Sequence, residues 1–197
     1  VCRLCRSVGQ ELYLKGSRCF QNSCVVKRKN RPGMHTEPIK MTEHARQLKE
    51  KQKVKYIYGL LEVQFYNYYQ EASAKKGLTG ELLFQFLERR LDNVVYRLGF
   101  ATSRREARQI VRHGQILVNN KKVNIPSFRV VPDDLVTLKQ SVKENNQKLR
   151  DAVKKANPAP WLVLNKDLIE GRVLTLPTRE SIDYEVNEEL IIAFYSK

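Results

Sequence analysis

The chain has 197 residues, enough for one or two domains and a small accessory module. It carries 36 Lys plus Arg against 21 Asp plus Glu, a formal net charge of +15, and such a surplus points to a polyanionic partner. A membrane role is excluded: no apolar run approaches the ~20 residues of a membrane span, and the one Trp, Trp161, lies in the least basic part of the chain rather than on a basic interfacial helix.

The charge is unevenly placed. Residues 1–55 hold 14 basic and 4 acidic side chains, residues 56–150 hold 16 and 9, and residues 151–197 hold 6 and 8. The polyanion is therefore expected on the N-terminal two thirds, and the net −2 tail is expected to face something else.

The chain opens on its four cysteines, Cys2, Cys5, Cys19 and Cys24, spaced C-x2-C-x13-C-x4-C. Two close pairs across one loop supply the four ligands of a tetrahedral zinc ion, one per chain, with no coordination position left open. Such a site staples a fold and does no Lewis-acid chemistry. A small, polar stretch lacks the apolar mass to fold alone, and metal binding supplies that free energy. Two disulfides or four separate thiols are the competing readings; the other 173 residues hold no cysteine. A ligand cysteine beside Val1 predicts that further residues precede it.

Residues 25–41 are basic and turn-rich, with Pro32, Gly33 and Pro38 breaking any helix. The run Lys27, Arg28, Lys29 and Arg31 needs neutralisation and predicts an extended segment along nucleic acid, against the plainer reading of a solvated linker. Thr42 is the expected N-cap of a helix that ends near Tyr58 at Gly59. On that helix Arg46, Lys49 and Lys53 share one side and Lys51 and Lys55 the other, a pattern suited to a helix wedged between polyanion segments. A second helix over 60–75 carries Val63, Phe65, Tyr66, Tyr68 and Tyr69, which suit core packing better than base stacking.

After Gly77, eight apolar residues from Leu82 to Leu98 recur at the spacing of a buried helical face, with Arg89, Arg90 and Arg97 on the other surfaces. Ser103 and Glu106 form a capping box. The helix it starts gathers Arg104, Arg105, Arg108 and Arg112 on one arc and Ala107, Ile110 and Val111 on the opposite one, and ends at His113 before Gly114. Alternation at Ile116–Val118 and Val123–Ile125 across Asn119-Asn120 predicts a hairpin, and LVTLK after Asp133-Asp134 a further strand. Residues 140–157 are expected to be helical or irregular. WLVL, GRVL and a last helix from about Asn187 complete the chain.

No phosphate-cradling loop and no G-x-G-x-x-G occurs, and the three histidines have no Ser or Cys at nucleophile spacing. Asp133-Asp134 and Glu188-Glu189 sit in a turn and at a helix start, where acids are favoured locally. No catalytic residue is assigned and the chain reads as a non-enzyme.

Residues 89–123, RRLDNVVYRLGFATSRREARQIVRHGQILVNNKKV, closely resemble the RNA-binding domain named after bacterial small-subunit ribosomal protein four. RPGMHTEP at 31–38, QLKEKQKVKYIYGL at 47–60, LPTRES at 176–181 and NEELIIAFYSK at 187–197 extend that resemblance to the full-length ribosomal family, in its zinc-bearing four-cysteine form. The resemblance implies an α+β fold: a zinc module with a basic extended segment at 1–41, a helical domain from 42–88 and 151–197, and an inserted RNA-binding domain at 89–150, made of a helix pair and a small antiparallel sheet.

The family also implies a structural component of the cytoplasmic ribosome. It binds the 5′ domain of the small-subunit rRNA, nucleates assembly of the subunit body, and contributes to translational accuracy and the mRNA entry path. His35, Lys121 and Lys122 join the basic residues named above as expected RNA contacts. Glu180, Asp183 and Glu185 are expected to face neighbouring small-subunit proteins, including number five. The competing classes are an RNA-modifying or RNA-chaperone protein with the same domain, for which no separate catalytic segment remains, and a zinc-dependent DNA-binding regulator, which a two-sided basic helix does not suit.

Overall fold

The computed structural model describes residues 2–21, 24, 32–33 and 41–196. Lys27, Arg28, Lys29, Arg31 and His35 lie outside the described residues. The chain divides into two compact units, one of residues 1–83 and 184–197, the other of residues 84–183. Among the described residues no helix is long and apolar enough to cross a membrane.

The first unit begins with a short helix α1 (Cys2–Val8) and a 3-10 turn (Gly16–Phe20). Helix α2 (Glu43–Tyr58) starts at Thr42, whose Oγ1 accepts the Ala45 N–H at 3.2 Å, and stops at Gly59 in the left-handed region (φ 64°). Both ends match the sequence expectation, because caps are local chemistry. Helix α3 (Glu62–Ser73) follows, and the last helix, α9 (Glu188–Tyr195), capped by Asn187, packs along α2. Val54, Ile57, Tyr58, Phe65, Tyr68 and Ile191 are buried in this unit.

The two-sided basic face expected of α2 is corrected. Lys51 and Lys53 are only 4 % and 5 % exposed. Lys51 Nζ lies 2.6 Å from Glu62 Oε1 and 4.3 Å from the Phe194 ring centre, and Lys55 Nζ lies 2.9 Å from Glu62 Oε2. Lys53 pairs with Glu50 at 3.6 Å and donates to the Glu185 carbonyl. A helical wheel treats lysine as charge at a fixed angle. Here the ammonium groups meet acceptors from beyond the Gly59 turn and from the C-terminal segment.

Glu62 is the hub of that cluster, and Tyr195 Oη also donates to it, at 2.8 Å. Burial opposes its ionisation, but hydrogen bonds from Lys51, Lys55 and Tyr195 outweigh burial and hold its pKa at about 2. Burial and the Glu62 carboxylate push the Tyr195 phenol up. Because the folded carboxyl titrates below its ordinary value, its stabilisation is fully present above about pH 4.5 and is lost as pH falls through about 2. Urea melts of the native chain and a Glu62→Gln variant should therefore differ near neutrality and converge as pH approaches 2. A gap that stays constant with pH would contradict this role.

The second unit contains the later part of α4 (Thr79–Glu88), then α5 (Leu91–Arg97) and α6 (Arg104–Arg112). Strands β1 (Ile116–Val118), β2 (Lys121–Val123) and β3 (Leu135–Leu138) are joined by β4 (Leu162–Asn165) and β5 (Glu170–Val173) in one antiparallel sheet of order β2-β1-β3-β5-β4. Helices α7 (Gln140–Asn145) and α8 (Gln147–Lys155) connect β3 to β4. The core holds Val94, Val95, Leu98, Val111, Ile116, Val136, Val153 and Trp161.

This division differs from the expected domain boundaries. Residues 151–183 complete the sheet of the second unit instead of belonging with the first, and only residues 184–197 return to the first. Short runs such as WLVL and GRVL announce strands, but a strand's partner is set by register across the sheet: Val136 faces Gly171, and Leu164 faces Gly171 from the other side.

Gly171 shows why α5 seats where it does. A Cβ there would collide with the Leu98 side chain, itself fully buried. Gly171→Ala should cost about 1–3 kcal/mol through overpacking. Thermal melts would register it; an unchanged midpoint would mean that Leu98 can step aside.

Candidate nucleic-acid interface and cysteine module

Helix α6 is positioned by its cap. Ser103 Oγ accepts the Glu106 N–H at 3.3 Å, as the sequence predicts. The Glu106 carboxylate reaches one residue further than a standard capping box, to the Thr102 N–H at 2.7 Å and its hydroxyl at 2.6 Å. Ala107 and Val111 are buried, which turns the arginine arc away from the core. At the C-terminal end, Gly114 takes φ 63° and the Lys122 stem lies where a Cβ would stand, so β2 brings Lys122 onto the end of α6.

The hairpin that carries Lys121 and Lys122 turns on Asn119 and Asn120, both left-handed at φ 49° and 63°. Asn119 does more than turn. Its Nδ2 donates to the buried Asp134 at 2.8 Å, and its Oδ1 accepts the Leu135 N–H at 2.9 Å, which clasps the hairpin to β3. Lys121 and Lys122 are exposed on the edge strand.

Arg105, Arg108, Gln109, Arg112 and His113 line one open recess of about 500 Å³. Arg105, Arg112 and His113 are exposed. Arg108 is partly exposed, with Nη1 3.7 Å from Asp92. Arg104 is more tightly held: Nε donates to Asn93 Oδ1 at 2.8 Å, and the guanidinium sits 4.3 Å from the Tyr96 ring centre. Gln109 is a member that the sequence reading missed; its place four residues after Arg105 and three before Arg112 is the signal that could have found it.

Three expected contacts are taken up inside the protein. Arg90 is 1 % exposed and forks onto Asp92 at 3.1 and 2.8 Å. Arg97 grips the buried Glu88 with Nε and Nη2, both at 3.1 Å, and also pairs with Asp183. Arg89 Nε donates to the Val130 carbonyl at 2.9 Å. These three lie at helix ends, where long cations satisfy carbonyls and carboxylates of the turn, a use that charge counting does not separate from RNA contact. In the first unit, Arg46 is exposed and Lys49 is partly buried.

Of the expected protein-facing acids, Glu180 is exposed on a 3-10 turn (Arg179–Ser181), and Asp183 keeps 71 % of its side chain exposed while bonding Arg97. Glu185 is exposed and offers its carbonyl to Lys53.

The cysteines sit in the first unit: Cys2 and Cys5 on α1, Cys19 in the 3-10 turn and Cys24 just beyond it. Gly9, Tyr13 and Gly16 take left-handed φ values of 75°, 48° and 58° to curl the loop between them. Val8, Leu12 and Leu14 are buried there with Cys5. Burial pushes the Cys5 thiol up, a backbone hydrogen bond from Leu12 opposes this, and the nearby Cys19, Cys2 and Cys24 push it further up. The Lys15 N–H donates to Cys19 Sγ at 3.3 Å. All four are free thiols, and among the described residues no three metal-binding side chains are gathered about one point. Four thiols within the first 24 residues are the soft donor type that zinc takes, with backbone N–H groups turned to two of them.

A helix pair on a small antiparallel sheet, with one arginine arc turned to solvent, defines a nucleic-acid-binding module. Comparison agrees and extends this to the whole chain. Residues 1–88 match the ribosomal protein S4/S9 N-terminal domain, and residues 89–136 match the S4 domain. The small ribosomal subunit protein uS4A of Symbiobacterium thermophilum is 52 % identical over 100 % of this chain and 97 % of its own length. The uS4 proteins of Halothermothrix orenii and Geobacter sulfurreducens are each 51 % identical over 100 % of this chain and 97 % and 96 % of their own lengths. The chain belongs to the bacterial ribosomal protein uS4 family, a family of structural proteins rather than enzymes.

Proposed function

We propose that this chain is a structural protein of the small ribosomal subunit, bound to its rRNA through the second unit. The observation that carries the reading is identity of about half over the full length of relatives bearing that name. The arc of Arg104, Arg105, Arg108 and Arg112, with His113, Lys121 and Lys122, supplies phosphate contacts that position the protein. Shape recognition of folded RNA supplies specificity. The 5′ domain of the rRNA is the binding target, and the chain serves early assembly, translational accuracy and the mRNA entry path. Its place of work is the cytoplasmic ribosome.

The exposed acids Glu180, Asp183 and Glu185 repel phosphate and suit a protein neighbour, small-subunit protein five. Cys2, Cys5, Cys19 and Cys24 hold one structural zinc ion, which organises the N-terminal module. The test is co-sedimentation: the tagged chain should remain with small subunits through a high-salt wash and crosslink to 5′-domain rRNA. Release into the free protein fraction would refute the reading.

A further inference from the structure

The arginines of α6 differ in how they are held, and the cause lies beneath them. Asn93 is buried, and its Nδ2 donates twice to Glu88, to the carbonyl at 2.9 Å and to Oε2 at 2.8 Å. Those two bonds fix the amide orientation, since a flipped amide would set its oxygen against two oxygens. Asn93 Oδ1 is therefore aimed at Arg104 Nε. Glu88 cannot shift in turn, because it is fully buried in the fork of Arg97. Tyr96, one helical turn from Asn93, supports the guanidinium from a ring face. The side chains of Arg105 and Arg112, by contrast, make no hydrogen bond or ion pair among the described residues and are exposed.

We propose that Asn93 is a positioning residue that pre-orients Arg104, making Arg104 the arginine that discriminates the folded rRNA, while Arg105 and Arg112 supply charge that any RNA can use. This rests on the reading that the arginine arc binds rRNA. The physical basis is that a guanidinium held at Nε and stacked on a ring loses little freedom on binding and demands a phosphate or base edge at one place. A solvated arginine adapts to any backbone.

The experiment compares the full chain with Asn93→Ala, Arg104→Lys and the double variant Arg105→Ala/Arg112→Ala. Each is titrated with deproteinised small-subunit rRNA and with unrelated duplex RNA, at several salt concentrations. Asn93→Ala and Arg104→Lys should lower the ratio of rRNA to duplex affinity about tenfold. Neither removes a charge, so their salt slopes should match the native chain. The double variant should weaken both RNAs together and flatten both slopes.

A parallel fall of both affinities in Asn93→Ala would mean only lost folding and would overturn the proposal. If Asn93→Ala loses its cooperative melt, Arg104→Lys decides, and an unchanged ratio there is equally fatal. The double variant separates the two layers. Should it leave affinity and slope untouched, the arc itself is not the RNA surface. Should it behave as expected while the other two keep their ratio, only the positioning inference fails.

Discussion

Replacing Arg105 and Arg112 together with alanine should lower affinity for the small-subunit rRNA about 100-fold, taking roughly 1.5 kcal/mol for each charge-assisted contact. The slope of log affinity against log salt should flatten by about 0.7–0.9 per lost phosphate contact. These two are the informative pair because they are exposed, line the same recess and take no part in the ion pairs that hold the unit together. Their removal should leave the melting curve unchanged, so weaker binding cannot be assigned to unfolding. Substituting Arg90 or Arg97 instead would take from the buried Asp92 or Glu88 its forked partner and cost about 3–5 kcal/mol of stability. Filter binding with calorimetry on the same samples separates the two outcomes. Binding that falls only where stability falls would leave the exposed arginines as a merely solvated face.

Metal analysis of the purified chain should find one zinc ion, and Cys5→Ser should abolish it. Cys5 is the informative site because it is the buried member of the four and shares its small core with Val8, Leu12 and Leu14. In small zinc modules the metal contributes about 10–16 kcal/mol of apparent binding free energy, far more than three or four buried apolar residues can replace. Loss of the ion should therefore open amide exchange across α1 and the 3-10 turn, while the second unit keeps its protection. Zinc well below one per chain, or two disulfides by mass spectrometry, would refute the assignment.

What could be read without coordinates was chemistry local to a few residues. The Thr42 and Ser103 caps, the Gly59 stop and the Asn119-Asn120 turn each depend on one or two side chains and a backbone angle, so their signals sit at fixed offsets. The segregation of arginine from Ala107 and Val111 on α6 was equally legible, because a short helix must bury one face.

The role of each cation was decided only by the tertiary structure. Lys51, Lys53, Arg90 and Arg97 have the same formal charge as Arg105 and Arg112 in a sequence. In the fold the former meet Glu62, Glu185, Asp92 and Glu88, and so serve the protein. The pairing of β5 with β3 is likewise non-local, and it carried residues 151–183 into the second unit. Charge and periodicity are properties of the chain, whereas partners separated by tens of residues are chosen by packing. The arginine-rich module and its charge were therefore determined by sequence, while packing decided which of its cations stayed exposed to solvent.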